Sequence, residues 1–155
     1  MPLHSAGLLL YRRRNGRLDL FLAHPGGPFW AGKDDGVWSI PKGLYEADEE
    51  PLAAARREFQ EETGTLLDAS VAAFIALGEL KQKGGKIVHA WAVEGDIDAE
   101  TIHSNTYAVQ WPQGTWRRYP EVDRAGWFMV DEARRKILPG QEPFIDRLLA
   151  HLEGS

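Results

Sequence analysis

Three glutamates within five residues, Glu58, Glu61 and Glu62 in "REFQEETG", are the side chains of this sequence best spaced for chemistry. The run that carries them, Pro51 to Thr63, has helical periodicity, and Leu52, Ala55, Phe59 and Thr63 recur as one apolar stripe. Glu58 and Glu62 are four positions apart and project within about 40° of each other along one edge of that stripe. Glu61 lies further round, adjacent to both. Ionised carboxylates where a helix meets the rest of the protein are costly unless paired. Arg57 is expected on the other side of the helix, unable to neutralise both. A hard divalent cation can do so, since Mg²⁺ prefers carboxylate oxygens, waters and a substrate phosphate in an octahedron. The alternative reading is a solvated Glu-rich face, where each like-charge pair costs only about 0.2–0.5 kcal/mol.

The surrounding elements must position these groups. Pro51 suits the first turn of the helix and Gly64 the left-handed position just past its end. "SAGLLLYRRRNGRLDLFLAH" predicts a hairpin turning at Asn15-Gly16. Pro25 to Gly36, "PGGPFWAGKDDG", is a long loop and a candidate lid, and "VWSIPKG" a short strand ending at Pro41. A second hairpin turns at Gly84-Gly85, with Ile87, His89, Trp91 and Val93 on one face of its second strand. "YAVQW" and "GWFMV" are further strands. "DEARRKILPG" is a short helix capped by Asp131, and "EPFIDRLLAHLE" a terminal helix with Phe144, Leu148 and His151/Leu152 on one side. Hairpins with interspersed helices predict an α/β (α+β) fold, a mixed sheet packed by helices on two sides, over residues 1–155 as a single domain.

Composition narrows the function classes. The chain has 155 residues, enough for a core that buries roughly 70% of the unfolded surface. It has no cysteine, so disulfides, thiolate metal sites and cysteine nucleophiles are excluded. That absence fits a cytoplasmic protein. No apolar run approaches the ~18 residues of a membrane helix, and the basic residues of "MPLHSAGLLLYRRR" follow its apolar run, the wrong order for a signal peptide. With 18 Lys+Arg against 23 Asp+Glu the net charge is −5, which argues against extended, sequence-blind nucleic-acid binding. The five histidines show no metal-ligand spacing.

The spacing around the helix is more specific. Gly43, five residues, Glu49, seven residues, then Arg57-Glu58-Phe59-Gln60-Glu61-Glu62-Thr63-Gly64 resembles the Nudix box, G-x5-E-x7-R-E-U-x-E-E-x-G-U, with U an apolar residue. The one departure is Thr65 at the final apolar position, where a β-branched residue can still pack. The resemblance implies an α/β/α sandwich and a Nudix pyrophosphohydrolase, in which water attacks a phosphorus of a nucleoside diphosphate-linked substrate with Mg²⁺ or Mn²⁺ as cofactor. It implies Glu58 and Glu62 as main metal ligands, Glu61 as a further ligand or a base, the Gly43 carbonyl as another ligand, and Glu49–Arg57 as a structural ion pair. The general base is a box glutamate or one from a later loop: Glu121, with Glu79 and Glu94 as rivals.

Substrate clues are Lys42, beside Gly43 in "PKG", where it could meet a phosphate, and Trp30, in the long loop, where it could stack on a base. Lys81, Lys83 and Lys86 around the Gly84-Gly85 turn, and Arg117 and Arg118, are further phosphate candidates or solvated surface. "PKG" is closer to the dinucleoside polyphosphate and diphosphoinositol branches of the family. The expected partner is a nucleoside polyphosphate, with a dinucleoside polyphosphate first. Alternatives are a nucleoside triphosphate or nucleotide-sugar (ADP-ribose) pyrophosphatase and a non-catalytic nucleotide sensor, the last disfavoured because every box glutamate is present. An RNA 5′-end hydrolase would want a more basic surface.

Overall fold

The computed structural model describes residues 2–110 and 112–154; Trp111, the last residue of the "YAVQW" run, lies outside them. The long first hairpin organises the sheet. β1 (His4–Arg14) and β2 (Arg17–Pro25) pair antiparallel at their turn end, Tyr11 opposite Leu20 through Arg14 opposite Arg17. Asn15 and Gly16 both take positive φ, 53° and 74°, as a two-residue turn of this twist requires.

Away from the turn the two strands part, and residues 38–44 enter the gap. Ala23 and Ser39 exchange backbone hydrogen bonds of 2.8 and 2.9 Å, the Leu8 N–H donates to the Pro41 carbonyl, and β3 (Lys42–Leu44) pairs with the start of β1, Gly7 opposite Lys42. Gly7 makes this approach possible: a Cβ there would stand 2.6 Å from the Lys42 Cβ. The predicted strand ending at Pro41 is therefore corrected. Trp38 and Ser39 make only isolated bridges, and the strand begins after Pro41, which has no N–H to offer a ladder.

On the other edge of β1, β5 (Ile87–Glu94) runs parallel, and β4 (Ile75–Lys81) pairs antiparallel with β5. β8 (Val122–Met129) pairs with β2, giving the mixed order β4-β5-β1-β2-β8 with β3 against β1. β6 (Thr106–Gln110) and β7 (Trp116–Pro120) form a separate two-stranded hairpin. The sequence reading missed β7, because "WRRYP" lacks the apolar alternation of a half-buried strand.

Both sheet faces are covered, which is why β1 reads as the unbroken run "GLLLY". Ala6, Leu8 and Leu10 pack with Phe21 and Val93 against Leu52, Ala55 and Phe59 of α1 (Pro51–Thr63). Leu9, Tyr11, Leu20 and Leu22 pack against Ala133 of α2 (Val130–Lys136) and Phe144, Ile145 and Leu148 of α3 (Glu142–Glu153). The α/β/α sandwich is thus present. Two details differ from expectation. The N-cap of α2 is Met129 with no side-chain bond, Asp131 lying inside the first turn, and the buried face of α3 turns through Ile145 while His151 is exposed. No described helix is long and apolar enough to cross a membrane.

Candidate functional site

α1 aims the box glutamates because its ends are held. The Glu50 carboxylate accepts from the N–H groups of Leu52 and Ala53, an acidic cap favoured by the helix dipole. At the other end Gly64 takes φ 79° and donates to the Gln60 carbonyl at 2.8 Å. The Thr63 hydroxyl donates to the Phe59 carbonyl at 2.7 Å and accepts from the Thr65 N–H. Thr65 is half-buried and contributes through its backbone.

Glu58 and Glu62 emerge from the buried edge of this helix, each only 9% exposed. Gly43 lies against Glu58 so closely that a Cβ there would overlap the carboxylate. Glu62 interacts with the backbone N–H of Lys42. Burial, then repulsion from Glu58, pushes the Glu62 carboxyl up to about 9. Burial, then Glu61, raises Glu58 as well. Lys42 is depressed, by desolvation first and the charge of Lys86 second, with Glu62, Glu58 and Glu121 opposing.

Arg57 is corrected from the far side of the helix. Its guanidinium binds Glu49 through two bonds of 2.8 and 2.9 Å and also donates to Glu58 at 2.9 Å and Glu61 at 3.2 Å. Glu49 and Glu58 lie on opposite sides of the same planar fork, which ties the loop before the helix to the glutamate cluster. Arg57 has no such contact with Glu62.

One cavity of about 370 Å³ gathers Lys42, Gly43, Glu58, Glu61, Glu62 and Glu121. Glu121 arrives at the end of β7, its N–H held by the Asn105 carbonyl at 2.8 Å, and partial burial raises its carboxyl although the side chain is open to solvent. Glu79 and Glu94 lie outside this cavity: Glu79 is 3.5 Å from His89, and Glu94 pairs with Arg13. A smaller cavity of about 190 Å³ adjoins, sharing Lys42, Glu62 and Glu121 and bounded by Trp30. Sequence reasoning missed Ser5, Asn105 and the approach of Lys86, all of which line the larger cavity. No local signal marks them, since their distance in the chain is closed only by sheet pairing.

The donor set fits a hard cation. Two buried carboxylates, one without an arginine, meet a glycine backbone left bare at Gly43, and the buried Ser5 hydroxyl has no hydrogen-bond partner among the described residues. Among the described residues no three acidic or histidine side chains stand close enough together to hold a metal ion between them. Glu61 is turned toward Arg57 instead.

Known proteins resemble this chain in sequence and in fold. The family described as the NUDIX domain matches residues 1–148. An RNA pyrophosphohydrolase of Rhodospirillum rubrum is 29% identical over 172 residues, covering 99% of this chain and 93% of that protein. A C. elegans Ap4A hydrolase in a binary complex superposes with a TM-score of 0.68 at 21% identity, covering 99% of both chains. The NUDIX domain of Shewanella oneidensis NrtR, complexed with ADP ribose, gives 0.68 at 14% identity, covering 98% of this chain and 89% of that one. The structural likenesses show a shared fold.

Proposed function

We propose that this chain, which belongs to the Nudix family and is a Nudix pyrophosphohydrolase, acts on a dinucleoside polyphosphate. The observation that carries the substrate reading is a line of lysines leading away from the carboxylates. Lys42 and Lys86 share the catalytic cavity with Glu58 and Glu62. Lys86 also lines the next cavity, of about 600 Å³, together with Lys81 and Lys83. Such a path suits an anion longer than a diphosphate.

Glu58, Glu62 and the Gly43 carbonyl would hold Mg²⁺ or Mn²⁺. The bound ion supplies neutralisation of the phosphate oxygens and a water of lowered pKa. Lys42 meets the phosphate beside the attacked one, as a point charge. Glu121 stands at the cavity mouth, where it takes the proton of the attacking water, and Glu61 is the alternative base. Arg57 holds Glu58 and Glu61 in place through its anchor on Glu49. Trp30 closes the adjoining cavity and stacks on a nucleobase, an interaction worth roughly 1–3 kcal/mol. We read the location as cytoplasmic, in keeping with a nucleotide substrate and no cysteine.

The test is a substrate panel with Mg²⁺ and with Mn²⁺, products identified by mass. It contains diadenosine tetraphosphate, the common nucleoside triphosphates, ADP-ribose and a 5′-triphosphorylated oligoribonucleotide. kcat/KM is expected to be highest for diadenosine tetraphosphate. A tenfold preference for any of the others removes the branch assignment and leaves the pyrophosphohydrolase.

A further inference from the structure

His24 is fully buried on β2, and the chemistry described above makes no use of it. Its Nδ1 lies 2.8 Å from the Asp123 carboxylate and its Nε2 2.7 Å from the Lys33 carbonyl. Both ring nitrogens therefore face oxygens that act as acceptors. Lys33 belongs to the loop of residues 26–37, and the same residue is used twice. Its carbonyl is held by His24, while its ammonium sits 3.7 Å from the centre of the Phe29 ring and 5.3 Å from that of Trp30. Phe29 and Trp30 meet edge to face at 4.7 Å, and Trp30 bounds the cavity shared with Lys42, Glu62 and Glu121.

The base of the loop is fastened independently. Asp34 accepts from the Trp38 indole at 2.8 Å and from Lys136 at 2.8 Å, and Asp35 pairs with Arg135 at 3.2 Å. The Gly36 N–H meets the carbonyls at the end of α2. These bonds fix where the loop ends. They do not reach Phe29 or Trp30, whose described cationic neighbour is Lys33.

We propose that His24 and Lys33 are positioning residues for nucleobase binding, acting as a relay from Asp123 through His24 and Lys33 to the Phe29–Trp30 pair. The inference rests on the reading of Trp30 as the base-stacking residue. Asp123 is two residues from Glu121 on the same stretch of chain, so one segment sets both the base of the reaction and the wall on which the nucleobase lies. Glutamine carries both of its N–H donors on one nitrogen, so it cannot span the two oxygens that the ring nitrogens of His24 reach from opposite edges. The cation over the aromatic faces is the second component, and it stiffens the pair by attraction to the ring faces.

The experiment compares Trp30→Ala, Lys33→Met and His24→Gln by calorimetric titration with ADP and Mg²⁺, by kcat and KM on diadenosine tetraphosphate, and by melting temperature. Lys33→Met keeps the aliphatic stem on an exposed loop, so it is expected to melt as wild type. It should weaken ADP about five- to tenfold, part of the range of one base–aromatic stack, and raise KM with kcat within about twofold. His24→Gln should act in the same direction with a lower melting temperature. If it fails to fold, Lys33→Met and Asp123→Asn carry the test. Wild-type ADP affinity in Lys33→Met, with Trp30→Ala impaired, overturns the relay and leaves Trp30 in place. Wild-type affinity in Trp30→Ala overturns the stacking reading itself.

Discussion

Gly43 lies against the Glu58 carboxylate with no room between them for a methyl group. The contact joins β3 to α1 and brings Gly43 and a buried carboxylate to one cavity. Gly43→Ala is expected to push Glu58 aside. Overpacking of this kind costs about 1–3 kcal/mol, and displacing Glu58, the proposed metal ligand, is expected to lower kcat by roughly 10- to 100-fold. Thermal melting and steady-state rates measured together check this. Wild-type kcat would show that Glu58 has freedom to move.

Glu62→Gln should keep the fold and lower turnover by about 10² or more, as for removal of one electrostatic stabiliser of a transition state. Near wild-type turnover in saturating Mg²⁺ would remove Glu62 from the site.

The same residue sets a pH dependence of stability. The folded-state pKa of Glu62 is raised to about 9, above its unfolded value of about 4.3. Between those values the native chain binds more protons than the unfolded one, so metal-free stability falls as pH rises through that window. Glu62→Gln should flatten this slope and, in chelator at pH 8, melt about 3 °C or more above wild type, equivalent to roughly 1 kcal/mol. A lower melting temperature there would tell against carboxylates held apart for a cation.

Arg57→Ala removes the bonds to Glu49, Glu58 and Glu61 together. Both melting temperature and activity should drop, because one substitution releases Glu49, Glu58 and Glu61 together. If activity disappears while melting is unchanged, Arg57 touches substrate and its structural role is wrong.

Lys42 and Lys86 should separate long from short substrates. Lys42→Ala is expected to impair diadenosine tetraphosphate more than a nucleoside triphosphate, and Lys86→Ala to raise KM for the long substrate with kcat preserved. The parameter that moves tells whether the contact forms in the ground state or only in the transition state. Equal effects on both substrates would confine the lysines to the common diphosphate.

What the sequence determined by itself was local. The α1 stripe, the adjacent Glu58 and Glu62, the Gly64 terminus and the Asn15-Gly16 turn follow from residue periodicity and backbone conformation within a few positions, so they could be read without a fold. The two-sided sheet was likewise legible, from hairpins interspersed with helices. What only the tertiary structure decided was who meets those glutamates. Lys86 arrives because β5 lies parallel to β1, Glu121 and Asn105 because β7 folds back on β6, and Lys42 because β1 and β2 part to admit residues 38–44. Arg57 was misplaced for a related reason: its flexible side chain follows the charges of Glu49, Glu58 and Glu61 rather than the helical angle of its Cα. Periodicity fixes the direction in which a side chain leaves the backbone. Burial and charge, which depend on residues distant in the chain, decide where it ends.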